Sequence, residues 1–181
     1  VDLKNNRKNT WGTGLIFNHE IDSIQNVTVA AGFTRQISEN ANKTAYYSNA
    51  YALGLAYNFV HTTYGLDLAK NKGGAGNKVK NNEVTAVIRQ GLNEDWNVYA
   101  MYSYKTEKTL PVGSAYSKST DRQFLVGTEY YVFKQGSVKV KPFIEWQATR
   151  TKYENTFDKD SGKQLDRSRD FKTVIGLRAY W

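Results

Sequence analysis

The 181-residue sequence predicts an all-β protein, a transmembrane antiparallel β-barrel. Three observations lead there. Apolar and polar residues alternate with period two in segments of about ten residues, and helical periodicity is almost absent. The linkers between segments alternate between short and long. Aromatic residues, 14% of the chain, fall near the ends of the apolar faces.

Nine segments carry the alternation, near 10–20, 26–36, 47–59, 62–70, 83–92, 96–106, 122–133, 137–150 and 170–181. In "TWGTGLIFNHE", Trp11, Thr13, Leu15 and Phe17 share one face, and Gly12, Gly14 and Asn18 the other. Val27, Val29, Ala31 and Phe33 repeat the pattern in the second segment, and Tyr51, Leu53, Leu55 and Tyr57 in the third. Tyr64, Leu66 and Leu68 oppose Gly65 and Asp67; Val84, Ala86 and Ile88 oppose Thr85 and Arg89. Trp96, Val98, Ala100, Tyr102 and Tyr104 oppose Asn97, Ser103 and Lys105. Phe124, Val126, Tyr130 and Val132 oppose Gln123 and Glu129. Val138, Val140, Ile144 and Trp146 oppose Lys139, Lys141, Glu145 and Gln147. The last segment sets Ile175, Leu177, Ala179 and Trp181 against Lys172 and Arg178. Pro142 interrupts the eighth segment, which predicts a bulge or an unpaired position there.

Short linkers are expected at 21–25, 60–61, 93–95 and 134–136, and long lysine-rich ones near 37–46, 70–82, 106–121 and 150–170. Short turns on one side and long loops on the other are the layout of an outer-membrane barrel, with turns in the periplasm and loops outside the cell.

Composition narrows the function classes. With no cysteine, disulfides and thiolate metal sites are excluded. No apolar run reaches the length of a membrane-spanning helix, and no signal peptide is visible. A formal net charge of +8 fits a solvated surface, nucleic acid, anionic headgroups or acidic solutes. Nucleic acid fits poorly, because the tyrosines share the apolar face while the mid-strand charges lie opposite.

Alternation alone does not say which face is wet. The polar faces carry too many full charges for a small dry core, which a water-filled lumen accommodates. The expected pore-lining residues are Asp67, Arg89, Lys105, Glu129, Lys139, Lys141, Glu145, Lys172 and Arg178. Their positive excess predicts a bias toward anions. Trp11, Phe17, Tyr51, Tyr57, Trp96, Tyr104, Tyr130, Trp146 and Trp181 are the expected membrane-interface aromatics, where an apolar ring and a polar tip are both accommodated.

The stretches "LNEDWNVYAMYSYKTEK", "RQFLVGTEYYVFKQGSVKVKPFIEWQATRT" and "KTVIGLRAYW" resemble the C-terminal part of Gram-negative general diffusion porins, in particular the major outer-membrane porins of the Haemophilus and Pasteurella group. "YALGLAYNFVHTTYGLDLAKNKG" resembles the hairpin before them. Such porins usually end in phenylalanine, so Trp181 is a conservative departure. The resemblance implies nine C-terminal strands of a sixteen-stranded barrel in the cell outer membrane. It also implies a homotrimer and passive diffusion of small hydrophilic solutes and ions. Expected partners are membrane lipid, lipopolysaccharide (through the lysines of 70–82 and 106–121) and the N-terminal strands of the same barrel.

Strand parity sharpens this. With the last strand ending in the periplasm, nine strands place the first running downward and Val1 to Asn9 in a surface loop. Intact bacterial barrels have even strand numbers, so the chain is expected to be part of a longer barrel.

No catalytic group, cofactor or metal site is expected. His19 and His61 sit in or beside short turns with no metal-ligand spacing. "DKDSG" (158–162) has half of a calcium-loop pattern, and "GGAG" (73–76) opens no helix. The alternatives are a smaller monomeric outer-membrane barrel (a specific channel, adhesin or surface enzyme) and a soluble β-barrel carrier.

Overall fold

The computed structural model describes residues 6–39, 45–74, 78–110, 116–157 and 162–181. The first four residues of "DKDSG" (158–161) and the last two of "GGAG" (75–76) lie outside them. The strands are β1 (Asn6–Asp22), β2 (Gln25–Glu39), β3 (Ala45–Phe59), β4 (Thr62–Gly73), β5 (Lys78–Gly91), β6 (Trp96–Leu110), β7 (Ser117–Tyr130), β8 (Phe133–Gln135), β9 (Val138–Glu154) and β10 (Arg167–Tyr180). No helix occurs among the described residues.

Nine long strands pair antiparallel in chain order, and β8 is a three-residue strand paired with β9 alone. The sheet is an open meander: β1 and β10 each have one paired neighbour and do not meet.

The long strands run 12–17 residues, beyond the expected segments at the long-linker end. Antiparallel register persists there through polar residues on both faces. Lys72 pairs with Lys80, Lys80 with Lys108, and Lys108 with Lys118. Lysines expected in loops therefore occupy fixed positions on strands. The expected surface loop Val1 to Asn9 becomes strand from Asn6; residues 1–5 lie outside the description.

Pro142 has a specific place. β9 pairs with β7 up to Phe143 opposite Glu129, then with β8 from Val140 opposite Phe133. The Val140 carbonyl accepts from Val132 N–H at 3.0 Å, so that edge of β9 faces the β7–β8 side. Pro142, two residues on, points its missing N–H the same way, into the gap where the neighbouring chain bends away. Tyr131 there donates instead to the Asp95 carbonyl at 2.9 Å.

The short turns are stitched side to side. Val60 N–H donates to the Ile24 carbonyl at 2.9 Å and Gly91 N–H to the His61 carbonyl at 2.8 Å. Val60 holds this bond at φ 54°, a left-handed conformation unusual for a β-branched residue.

No apolar side chain among the described residues is buried. Leu15, Leu53, Leu66, Ile88, Ile144 and Ile175 all face outward from the sheet, with exposures between 38% and 77%. A sheet with a conventional core would cover them.

Candidate functional site

Direct cross-strand partners share a face, so register assigns every side chain to one side. Leu53, Leu68, Val84 and Tyr104 form one row across β3–β6. Tyr102 and Phe124 continue the same face, as do Val126 with Trp146 and Ile144 with Ile175. This is the exposed, apolar face.

Aromatics band it at two heights. Near the turns lie Phe17, half-buried Tyr57, Tyr64, Trp96 and Tyr130. Tyr57 stacks on Tyr64 at 6.2 Å, and Trp96 stands opposite Tyr130. Near the loops, Trp11, Phe33 and Tyr51 are in ring contact, with centroids 5.2 and 5.0 Å apart, and Trp146 stacks on Phe171 at 6.1 Å. From Tyr51 to Tyr57 and from Trp96 to Tyr104, the separation is about 20–27 Å along the strand. The expected interface aromatics within strands all lie on this face, with Phe33, Tyr64, Phe124 and Phe171 beside them. Trp181 lies just past the end of β10, 91% exposed.

The opposite face is the more enclosed one. Along Lys78–Gly91, half-buried residues on this face alternate with exposed ones on the apolar face. All nine expected pore-lining residues share it: Asp67, Arg89, Lys105, Glu129, Lys139, Lys141, Glu145, Lys172 and Arg178. Five of them meet in a network at the short-turn end.

Glu129, on the last turnward residues of β7, is the hub. Its Oε1 accepts from Arg89 Nη2 at 2.5 Å and pairs with Lys141 Nζ at 2.8 Å. Its Oε2 accepts from Arg178 Nη1 at 2.9 Å. Arg178 Nη2 donates to Glu145 Oε1 at 2.8 Å, and Tyr99 Oη donates to the same oxygen at 2.6 Å. The Glu129 side chain is 3% exposed and that of Lys141 6%, whereas Arg89 and Arg178 keep 43% and 37%. Several of these bonds cross an intervening strand: Arg89 reaches from β5 past β6, Tyr99 from β6 past β7, and Arg178 from β10 past β9. Contacts of that kind require the sheet to roll toward this face.

Glycines make the crossings possible. Tyr99, Gly127 and Glu145 form one row, and the Tyr99 ring lies flat over Gly127 to reach Glu145. A Cβ on Gly127 would come 2.5 Å from Tyr99 Cζ. Phe143 covers Gly176 in the same way, and the Arg178 guanidinium sits 4.1 Å above the Phe143 ring.

Comparison with models of protein families, with curated protein sequences and with solved structures finds no match to this chain. The functional reading therefore rests on the geometry.

Lys105 and Lys172 lie toward the loop end of the enclosed face, away from the network, and Asp67 lies beside Gly54 in mid-strand. Lys139 stands opposite Tyr180 beyond the Glu129 hub. Register also brings in carboxylates that the sequence reading omitted: Glu20, Glu83, Glu107, Asp121 and Asp170. Glu83 accepts from Ser103 Oγ at 3.2 Å, and Ser103 accepts from Thr85 Oγ1 at 3.1 Å. With these, and with Lys134 of β8 opposite Lys139, the strand residues of the enclosed face carry eight carboxylates against seven cations. The expected positive excess disappears. Carrying the two-residue period to the segment ends was the available signal: Glu20, Glu83 and Asp170 stand at the ends of expected strands, and Glu107 and Asp121 in an expected loop.

Among the described residues no group of acidic and histidine side chains is arranged to hold a metal.

Proposed function

We propose that the chain forms part of the wall of an outer-membrane porin, with the enclosed charged face lining a water-filled passage and the apolar face in contact with lipid. The observation that carries this is the absence, among the described residues, of buried apolar side chains beside an exposed apolar face banded by two aromatic rows. Such a face requires an apolar surrounding, and aromatic rows at two depths match the two interfaces of a bilayer. Charges bridged across strands on the other face suit a hydrated lumen.

The open edges of β1 and β10 carry unpaired backbone groups, which the hydrocarbon region does not tolerate. Further strands of the same barrel, to a total of sixteen in the resembled porins, would satisfy them. The trimer and the passive diffusion of small hydrophilic solutes are part of the same proposal.

Reconstitution into a planar bilayer tests it. The expected result is stepwise, ohmic conductance from protein that is extracted from membranes only with detergent. A protein that stays monodisperse in buffer without detergent favours the soluble-carrier alternative and overturns the porin reading.

A further inference from the structure

We infer that the apolar face carries, just above its loop-end aromatics, a binding seat for phosphate groups of a lipid headgroup. Arg122, Arg150 and Arg169 stand directly opposite one another on β7, β9 and β10, and Tyr104 on β6 extends the row. One row below, toward the turns, are Phe124, Ala148 and Phe171. One row above are Lys152 and Arg167. The three arginines thus project from the outer face at the level where apolar surface gives way to polar.

Like charges directly opposite one another repel, with Cβ atoms only about 5 Å apart. The Arg122 guanidinium lies 5.9 Å from the Tyr104 ring centroid, but the fold supplies no counter-ion. Among the described residues no ion pair reaches Arg122, Arg150 or Arg169; Asp170 faces the other way, opposite Thr149. The nearest carboxylate on this face, Glu154, is shared by Lys118 at 3.4 Å and Lys152 at 3.8 Å. A cleft of about 330 Å³ lies between these side chains, with Arg122, Arg150 and Arg167 on its walls. Arg169 completes the row beside this cleft, whose one carboxylate, Glu154, is already held by the two lysines. Three guanidiniums in a row without a counter-ion of their own form a receptor for anions that accept two hydrogen bonds per guanidinium.

The depth selects a lipid source. The seat borders the aromatic row, so a headgroup phosphate reaches it while the acyl chains lie along Phe124 and Phe171. The contrast with the other end is sharp. From the Phe124–Ala148–Phe171 row to the short turns, the strand residues of this face carry one full charge, Asp22 opposite Gln25 at the very end, whereas the loop end adds Lys72, Lys80 and Lys108 to the arginines. The seat rests on the membrane-facing reading above and adds a chemical preference to it.

Native mass spectrometry of the detergent-extracted protein tests the seat with three probes: dioleoylphosphatidic acid, dioleoylphosphatidylcholine and inorganic phosphate. The expected result is at least tenfold tighter retention of phosphatidic acid than of phosphatidylcholine. Inorganic phosphate at equal concentration should neither bind measurably nor displace it. R122Q/R150Q/R169Q should abolish the preference, R150K should retain most of it, and K134Q at the turn end should leave it unchanged. If the triple variant does not fold, R150Q alone should reduce the preference at least threefold. Equal retention of the two lipids by the natural protein, or full competition by inorganic phosphate, would overturn the lipid seat while leaving the need for detergent, and hence the porin reading, intact.

Discussion

Arg178 on β10 reaches over β9 to Glu129 on β7, with Nη1 2.9 Å from Oε2, and so joins the last strand to one that is not its neighbour. The same carboxylate holds Arg89 and Lys141, so three cations from three strands converge on a single side chain. Hydrogen bonds between adjacent strands fix register but leave curvature soft. Bonds between non-adjacent strands on one face fix how far the sheet rolls.

Glu129→Gln should therefore be among the most damaging single changes in the wall. It leaves the Lys141 ammonium, 6% exposed, without its anionic partner. A loss of about 2–3 kcal/mol is expected, read as a lower midpoint in urea unfolding from detergent. In a double-mutant cycle with Lys141→Gln the two changes should couple by more than about 1 kcal/mol. Strict additivity would show that the hub is dispensable.

Gly127→Ala should cost about 1–3 kcal/mol, because the added methyl displaces the Tyr99 ring from its place over the glycine. Tyr99→Phe removes only the bond to Glu145 and should cost about 1 kcal/mol. The cause can be isolated with Tyr99→Ser: on that background Gly127→Ala should be close to neutral. An undiminished penalty there would point to a backbone effect instead.

Ion selectivity should follow the charges that register places on the enclosed face. With eight carboxylates against seven cations, this part of the proposed porin wall should lean slightly toward cations rather than show the anion bias that the sequence alone suggested. Under a salt gradient, Glu83→Gln/Glu107→Gln/Asp121→Asn should move the reversal potential toward anion preference. No movement would mean that these carboxylates lie off the conduction path.

Val60→Asn should stabilise the protein by about 1 kcal/mol, since asparagine tolerates the left-handed conformation that valine holds at φ 54°. The amide that donates to Ile24 is kept. The unfolding midpoint should rise at unchanged slope. A fall would show that the valine side chain contributes more than its backbone strain costs.

The strands were legible wherever their two faces differ. Leu53 against Gly54, or Ile88 against Arg89, fixes both the existence of a strand and its orientation. Legibility failed where both faces are polar, as along Lys72, Lys80 and Lys108, where lysine-rich strand looks like loop. It failed again at β8, too short to show a period. The candidate site was legible as a set of residues but not as a network. Nothing in the spacing of Arg89, Glu129 and Arg178, 40 and 49 residues apart, tells that they touch. That requires the register of five strands and the glycines that let side chains lie down between them. The arginine row was invisible for the same reason: Arg122, Arg150 and Arg169 become neighbours only once β7, β9 and β10 are aligned.

If the chain enters a membrane as proposed, the uneven charge of the outer face would also give that entry a direction. At the short-turn end the strands of that face carry a single ion, Asp22, and Arg89, Lys141 and Arg178 on the other face are matched to Glu129 and Glu145, so this end would be the cheaper one to push through hydrocarbon. The basic rim at the other end acts as a brake, halting where its arginines and lysines find anions. Protein added to preformed liposomes should accordingly keep its loop-end cations on the side of addition, open to trypsin, while the turns become protected.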